Sequence, residues 1–191
     1  MKQDIILAGV GGQGILSIAF VIDNAALAEG FHFKQAEVHG MAQRGGAVQS
    51  HLRLSKELVY SDLIPKGEAD MILSVEPLEA LRYLEYLSPE GIVVSSCSPH
   101  RNIPDYPDLD QVLTRIRSIE KRVIIDSEKI AREAGLQKAQ NMVMLGAASP
   151  HLILKKESLE KFIRVLFEPH GLSVVDVNLK AFELGRQAGL S

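Results

Sequence analysis

Apolar residues along this chain fall into short runs that stop at glycine or a turn, separated by longer stretches with helical spacing. Asp4–Val10 (DIILAGV) is almost continuously aliphatic and ends at glycines, the pattern of a strand buried on both faces. Residues 14–29 have helical length, are rich in alanine and stop at Gly30, a residue suited to the position just past a helix end. Residues 31–38 read as a second strand, so the chain opens strand–helix–strand, and parallel pairing of those strands requires a right-handed crossover. After a polar, glycine-bearing loop at 39–46, Val48, Leu52 and Leu54 alternate with Gln49, His51 and Arg53 over 47–54, the period of a half-exposed strand. Residues 57–60 are expected to return beside it as a short antiparallel partner, which makes the sheet mixed.

The alternation continues with a buried strand at 69–75, a proline-started helix at 77–87 and a strand at 91–96. A proline-rich loop at 97–108 leads to a helix at 110–120 and a strand at 122–126. From there the pattern is helical: 127–133, 140–154 with Pro150 as an internal break, 158–167 and 174–186. No linker and no internal repeat interrupts the chain. The expected fold is α/β: a single three-layer α/β/α Rossmann-like domain over 1–191, with a mostly parallel, partly mixed sheet and a helical C-terminal third.

Composition removes several function classes. With 46% apolar and 24% charged residues over 191 positions the chain can bury a full core without staples. A net charge of -3 supplies no basic field for nucleic acid. The N-terminus lacks the order of a signal peptide, and charge interrupts every apolar stretch well before about 18 residues, so no membrane segment and a cytoplasmic location are expected. The single cysteine, Cys97, excludes an intramolecular disulfide and cannot alone hold an iron–sulfur cluster. The histidines lack zinc-ligand spacing, so no metal site is expected.

Gly9-Val10-Gly11-Gly12-Gln13-Gly14 satisfies G-x-G-x-x-G, follows a strand and opens a helix. That context suits an anion at the helix N-terminus, and it equally suits a tight strand-to-helix turn with no ligand. Ile15-Leu16 stand where a Walker loop needs Lys and Ser/Thr, which excludes that motif. A dinucleotide site wants an acid at the end of the second strand, and Glu37 lies 23 positions beyond Gly14. Yet Glu37 runs into His39-Gly40-Met41-Ala42-Gln43-Arg44-Gly45-Gly46, for which a dinucleotide site has no use.

In that loop Arg44 offers a planar fork for carboxylate or phosphate, Gly45 and Gly46 permit close backbone approach, and His39 and Gln43 can add hydrogen bonds to the same anion. Cys97, with His100 three residues on, sits at a strand end, but the sequence shows no third group to orient a nucleophile, and a buried cysteine is the plainer reading. Asn141 and Asn178 precede apolar helical runs and most simply cap helices, with a ligand contact as the alternative.

Four segments together carry a resemblance: Gly9–Gly14, Glu37–Gly46, Asn141-Met142-Val143-Met144-Leu145-Gly146, and Asn178-Leu179-Lys180-Ala181-Phe182-Glu183-Leu184-Gly185. Over nearly its whole length the chain resembles the small, gamma-type subunits of thiamine-dependent 2-oxoacid:ferredoxin oxidoreductases. Its His-Gly-Met-Ala-Gln-Arg-Gly-Gly loop, where pyruvate-type relatives resemble Tyr-Gly-x-Glu-x-Arg-Gly-Gly, leans toward the indolepyruvate (arylpyruvate) branch. The resemblance implies a large alpha subunit carrying thiamine diphosphate, Mg²⁺ and 4Fe-4S clusters. It also implies oxidative decarboxylation of an aryl 2-oxoacid to an aryl-acetyl-CoA, with coenzyme A as co-substrate and ferredoxin as electron acceptor. This chain would hold none of those cofactors, would be inactive alone and could form a homodimer when isolated. It has no Gly-Asp-Gly segment of the thiamine diphosphate signature. The implied site has no certain catalytic residue; it consists of a ligand or interface loop (His39, Gln43, Arg44, Gly45, Gly46), a glycine turn (Gly9, Gly11, Gly12, Gln13, Gly14) and Asn141. A gamma subunit of a pyruvate- or 2-oxoglutarate-type enzyme is the near alternative, and a free-standing NAD-binding dehydrogenase the alternative of another class.

Overall fold

A computed structural model describes residues 1–39, 45–101 and 103–191. Six strands, β1 (Lys2–Val10), β2 (His32–His39), β3 (Ala47–Ser55), β4 (Ala69–Ser74), β5 (Leu87–Ser96) and β6 (Arg122–Ile125), form one sheet in the order β2-β3-β1-β4-β5-β6. β1, β4, β5 and β6 are mutually parallel, while β3 runs antiparallel to both β1 and β2. The helices are α1 (Ile15–Ala28), α2 (Pro77–Arg82), α3 (Leu109–Arg117), α4 (Ser127–Ala134), α5 (Gln140–Ala148), α6 (Lys156–Phe167) and α7 (Leu172–Leu190).

The unbroken apolar run of β1 explains its central place, because each face of the sheet has its own core. Ile5 and Leu7 pack with α1, α4, α5, α6 and α7, whereas Ile6 packs with Ala80 of α2 and Val112, Leu113 and Ile116 of α3. Helices therefore cover both faces, the expected three-layer α/β/α arrangement with a mixed sheet and a helical C-terminal third. No described helix is long and apolar enough to cross a membrane.

Four expectations need correction. β2 does not pair with β1, because β3 occupies the position between them. Residues 57–60 form no strand: His51 and Arg53 of β3 turn the following segment across the sheet instead. The Ile64 N–H donates to His51 Nδ1 at 3.1 Å, and Arg53 Nη1 donates to the carbonyls of Ser61 and Leu63 at 3.3 and 3.0 Å. Arg53 is itself held by a two-point contact, Nε and Nη2 each 3.0 Å from the buried Asp4 carboxylate. The helix expected over 77–87 ends at Arg82, and after a short 3₁₀ turn the chain is already strand at Leu87. The helix expected over 140–154 stops at Ala148, where Pro150 falls in a 3₁₀ turn at Ser149–His151.

α5 and α7 meet backbone to backbone. An added Cβ at Gly146 would lie 2.0 Å from the Phe182 carbonyl oxygen, and one at Gly185 would lie 2.0 Å from that of Val143. Glycine at these helix positions costs roughly 0.5–1 kcal/mol relative to alanine, so the close approach has to return more than that in packing. Gly185→Ala, a stabilising change on an exposed helix, is thus expected to lose about 2 kcal/mol or more in equilibrium urea unfolding. Unchanged stability would mean that the two helices do not touch as described.

Candidate functional site

β1 ends in the glycine turn at the C-terminal edge of the sheet. Gly12 and Gly14 take left-handed φ of 105° and 75°, and Gly14 is the residue from which α1 starts. The Gln13 side chain closes the turn by accepting from the Val10 N–H at 2.8 Å, while the Gln13 backbone N–H donates to the Val10 carbonyl at 3.0 Å. Gly9 is also tight, since a Cβ there would meet Ile15 Cδ1 at 2.7 Å. At Gly14 a Cβ would meet the Asn141 amide nitrogen at 2.4 Å, and that amide donates to the Gly14 carbonyl at 3.3 Å.

Asn141 is therefore not a cap: α5 begins after Ala139, and Asn141 lies inside the first turn, buried against the glycine turn. Asn178 is not a cap either, for it sits within α7 and donates to the Val174 carbonyl at 2.8 Å.

The second motif comes to the same place. The Gly11 N–H donates to the Gly46 carbonyl at 2.9 Å, and the Gly45 N–H donates to the Gly11 carbonyl at 3.3 Å. These bonds extend the β1–β3 ladder, which ends in the pair Val10 and Ala47, past both strand ends. At the other end of the loop, His39 is the last residue of β2 and pairs with Val48. Gly40, Met41, Ala42, Gln43 and Arg44, with the His39 side chain, lie outside the described residues.

Beside the turn is a cavity of about 730 Å³, walled by Gly11, Gly14, His100, Glu128, Lys138 and Asn141 among others. It opens over the carboxyl ends of adjacent β1 and β4, where the chain leaves toward opposite faces, α1 joining one core and α2 the other. That is the switch point at which open α/β sheets bind ligands. Gly14 gives α1 no side-chain cap, so the N-terminal end of α1 at this cavity suits an anion, whereas at the start of α5 the Met142 N–H is taken by Asn141 Oδ1 at 3.0 Å. On the other flank of the turn a smaller, apolar cavity of about 280 Å³ is lined by Val10, Ile15, Leu16 and Val48.

Sequence reasoning missed Glu76. Its buried carboxylate caps α2 by accepting from the Glu79 N–H at 2.9 Å, and it also accepts from the His100 N–H at 3.3 Å and from the Tyr106 hydroxyl. Burial and this carboxylate push the Tyr106 hydroxyl well above its ordinary range. Glu76 thus fastens the loop carrying His100 to the end of β4; the available signal was an acid directly before Pro77. Nearby, Ser96 Oγ and Ser127 Oγ share a hydrogen bond of 2.7 Å, and Ser98 Oγ donates to Asp126 at 3.0 Å, tying the end of β5 to the start of α4.

Cys97 is no activated thiol. Burial pushes its pKa up, Asp126 adds to the effect, and the nucleophilic thiolate is disfavoured. Glu37 sits near the end of β2 and accepts from the Gln35 amide at 2.5 Å. With β3 intervening, it is two strand spacings, about 10 Å, from the strand that carries the glycine turn, whereas a dinucleotide site needs that acid on the neighbouring strand. Among the described residues no three His, Cys, Asp or Glu groups converge to hold a metal.

With two glycine motifs joined at a switch point, comparison with known proteins becomes informative. Residues 4–188 match the Pyruvate ferredoxin/flavodoxin oxidoreductase family. The chain belongs to this family. Among curated members, indolepyruvate oxidoreductase subunit IorB of Thermococcus kodakarensis is 40% identical, covering 98% of this chain and 96% of the relative. Subunit VorA of ketoisovalerate oxidoreductase from Methanothermobacter marburgensis is 27% identical, and there this chain spans only 35% of the relative. The same fold occurs in a solved 2-oxoglutarate:ferredoxin oxidoreductase from Magnetococcus marinus, described with 2-oxoglutarate, coenzyme A and succinyl-CoA bound. The TM-score is 0.80 at 22% identity, over 99% of this chain and 31% of that one. A pyruvate oxidoreductase subunit from Thermotoga maritima gives a TM-score of 0.76 at 24% identity over 97% of this chain and 96% of that one. The members of this oxidoreductase family thus include both separate small subunits and longer chains that contain the unit.

Two measurements probe this part of the molecule. Gly14→Ala combines a strained φ with a clash and is expected to cost about 2–3 kcal/mol. Adding Asn141→Ala removes the clash alone, so the second substitution should be clearly less costly in the Gly14→Ala background than in the parent. Additive losses in urea unfolding would show that the two residues are not in contact.

The other measurement concerns Asp23, buried on α1 with one oxygen unpartnered, whose pKa is pushed from 3.8 up to about 7 by burial first and by Glu37 second. A raised carboxyl pKa favours the neutral form in the folded state. Its cost is absent below the unfolded value, grows as pH rises from 3.8 to about 7, and is constant above. Asp23→Asn is expected to remove that loss and to be more stable than the parent at pH 8 by on the order of a few kcal/mol. Parallel stability–pH curves for the two proteins would contradict the assignment.

Proposed function

We propose that the chain is the small, non-catalytic subunit of an indolepyruvate (arylpyruvate):ferredoxin oxidoreductase, with residues 1–191 acting as one gamma-type unit. The observation that carries the reading is the bonding of Gly11 to Gly45 and Gly46, which anchors the base of the 39–46 loop at the mouth of a cavity on the C-terminal sheet edge. The arylpyruvate branch is favoured over the pyruvate and 2-oxoglutarate types by identity, 40% to an indolepyruvate subunit against 27% to a 2-oxoglutarate synthase subunit, each over 98% of this chain.

The residues present do not fit thiamine diphosphate with Mg²⁺ or an iron–sulfur cluster, since Cys97 is the one thiol and no ligand trio converges among the described residues. Those groups are assigned to a large partner subunit, which would pass electrons to ferredoxin. Coenzyme A suits the larger cavity: the uncapped start of α1 and Lys138 there favour phosphate, and a 2-oxoglutarate:ferredoxin oxidoreductase of the same fold is described with coenzyme A bound. Arg44 has the fork to fix a substrate carboxylate or a phosphate across the subunit boundary, and His39 and Gln43 are placed in sequence to assist it. A reduced free thiol and ferredoxin as acceptor are consistent with a cytoplasmic enzyme.

The test is turnover of indolepyruvate or phenylpyruvate with a dye acceptor. The isolated chain is expected to be inactive and the reconstituted complex active; activity of the chain alone would end the proposal. Within the complex, Arg44→Lys keeps the charge but loses the fork. It should lower kcat/KM about 10- to 100-fold, at roughly 1.4 kcal/mol per decade, without dissociating the subunits on size exclusion. Normal turnover would leave Arg44 a surface charge.

A further inference from the structure

α1 is apolar on more sides than the sheet and its neighbouring helices cover. Within Ile15–Ala28 the only ionisable residue is Asp23, and it is buried. The outward side carries Leu16, Phe20 and Leu27, which are 51%, 37% and 55% exposed. Their spacings of four and seven residues put all three within one narrow stripe of a helix. Asn24, beside them, turns one amide N–H back onto the helix, donating to the Phe20 carbonyl at 2.8 Å. A helix of this kind is expected to be enclosed.

Resting on the functional reading above, we infer that this face of α1 is the docking surface for the large subunit, which meets it with an apolar, uncharged surface of its own. Continuity with the site supports that occupant. α1 starts at the glycine turn, and Leu16 both opens the stripe and lines the apolar cavity beside the turn. A partner that reaches the cavity mouth therefore runs onto Leu16 first and along the helix toward Leu27, about 17 Å away. Chain length argues the same way. In the ketoisovalerate and 2-oxoglutarate relatives the matching unit is 35% and 31% of a longer polypeptide, so the unit can sit directly beside the rest of such an enzyme. The exposed side chains of the stripe carry no charge, and Asp23, which shares their spacing, is buried, so burial of apolar area is the source of affinity.

The experiment uses the full chain and the co-expressed large subunit from the same organism, with the dissociation constant measured on purified proteins. Leu27→Glu and Phe20→Glu lie on the exposed face, are expected to keep the parent's melting temperature, and should raise Kd about 30-fold or more, as hot-spot losses do. Leu27→Met should bind like the parent, because it preserves apolar contact. If a glutamate variant fails to fold, Leu27→Gln is read instead, with about a 10-fold rise expected. Parent-like binding by the charged or polar variants overturns the inference. So does a parent that self-associates through this stripe, shown by glutamate variants that become monomeric yet still bind the large subunit; the occupant is then a second copy. Failure of the parent itself to bind any large subunit would instead overturn the functional reading, and this inference with it.

Discussion

The antiparallel pairing of β3 along β1 decides where the rest of the molecule can go. Every residue of β1 from Lys2 to Val10 has a partner between Ser55 and Ala47. One side of the central strand is therefore filled along its length by a strand that arrives from the opposite direction. β2 is displaced to the sheet edge, and the connection from β2 to β3 must start and end at the edge where β1 stops. The glycine turn and Gly45–Gly46 meet for that reason, not through any affinity between their side chains. The same displacement takes Glu37 out of reach of a nucleotide held at the glycine turn, so a single pairing both builds this site and excludes the more familiar use of G-x-G-x-x-G.

The α5–α7 contact fixes the third wall. A helix carrying ordinary side chains at Gly146 and Gly185 would be held off its neighbour, and helix axes usually stay about 8–10 Å apart. Bare backbone lets α5 sink until residues 141–148 are all buried. At that depth the Asn141 amide reaches the Gly14 carbonyl, and the α5 N-terminus lines the cavity. Motifs distant in sequence thus answer to one geometric requirement. Gly14 has to lack a Cβ because Asn141 is there, and Asn141 is there because Gly146 and Gly185 lack theirs.

Legibility in the sequence divided along the same physical line. Strand one, the first helix, the glycine turn and the helical C-terminal third are local patterns, and periodicity together with glycine placement was enough to read them; the mixed sheet was expected from residues 57–60 and arises instead from β3. Interposition of β3, the fate of 57–60 and the partner of Asn141 are long-range choices made by particular side chains such as Arg53 and His51, whose targets no local window contains. Asparagine before an apolar run reads as a cap because that is its commonest use; here tertiary contact overrides it. Glu76 was visible only as an acid before a proline, which suggests a helix start and says nothing of a loop some 30 residues later that would depend on it.

Several local irregularities meet at one end of the sheet. Left-handed glycines at 12, 14 and 45, the uncapped start of α1, a fully engaged buried glutamate at 76 and a loop tied down by it all lie at the carboxyl edge of the sheet. At the opposite end Arg53 grips Asp4 at two points, and the Asp4 N–H donates to Asp70 at 2.7 Å. An uncapped helix start beside a glycine turn is what a binding edge requires. Backbone donors have to stay unsatisfied within the chain to remain available to a ligand, and the regular sheet and the α5–α7 seam supply the rigidity that keeps them in place.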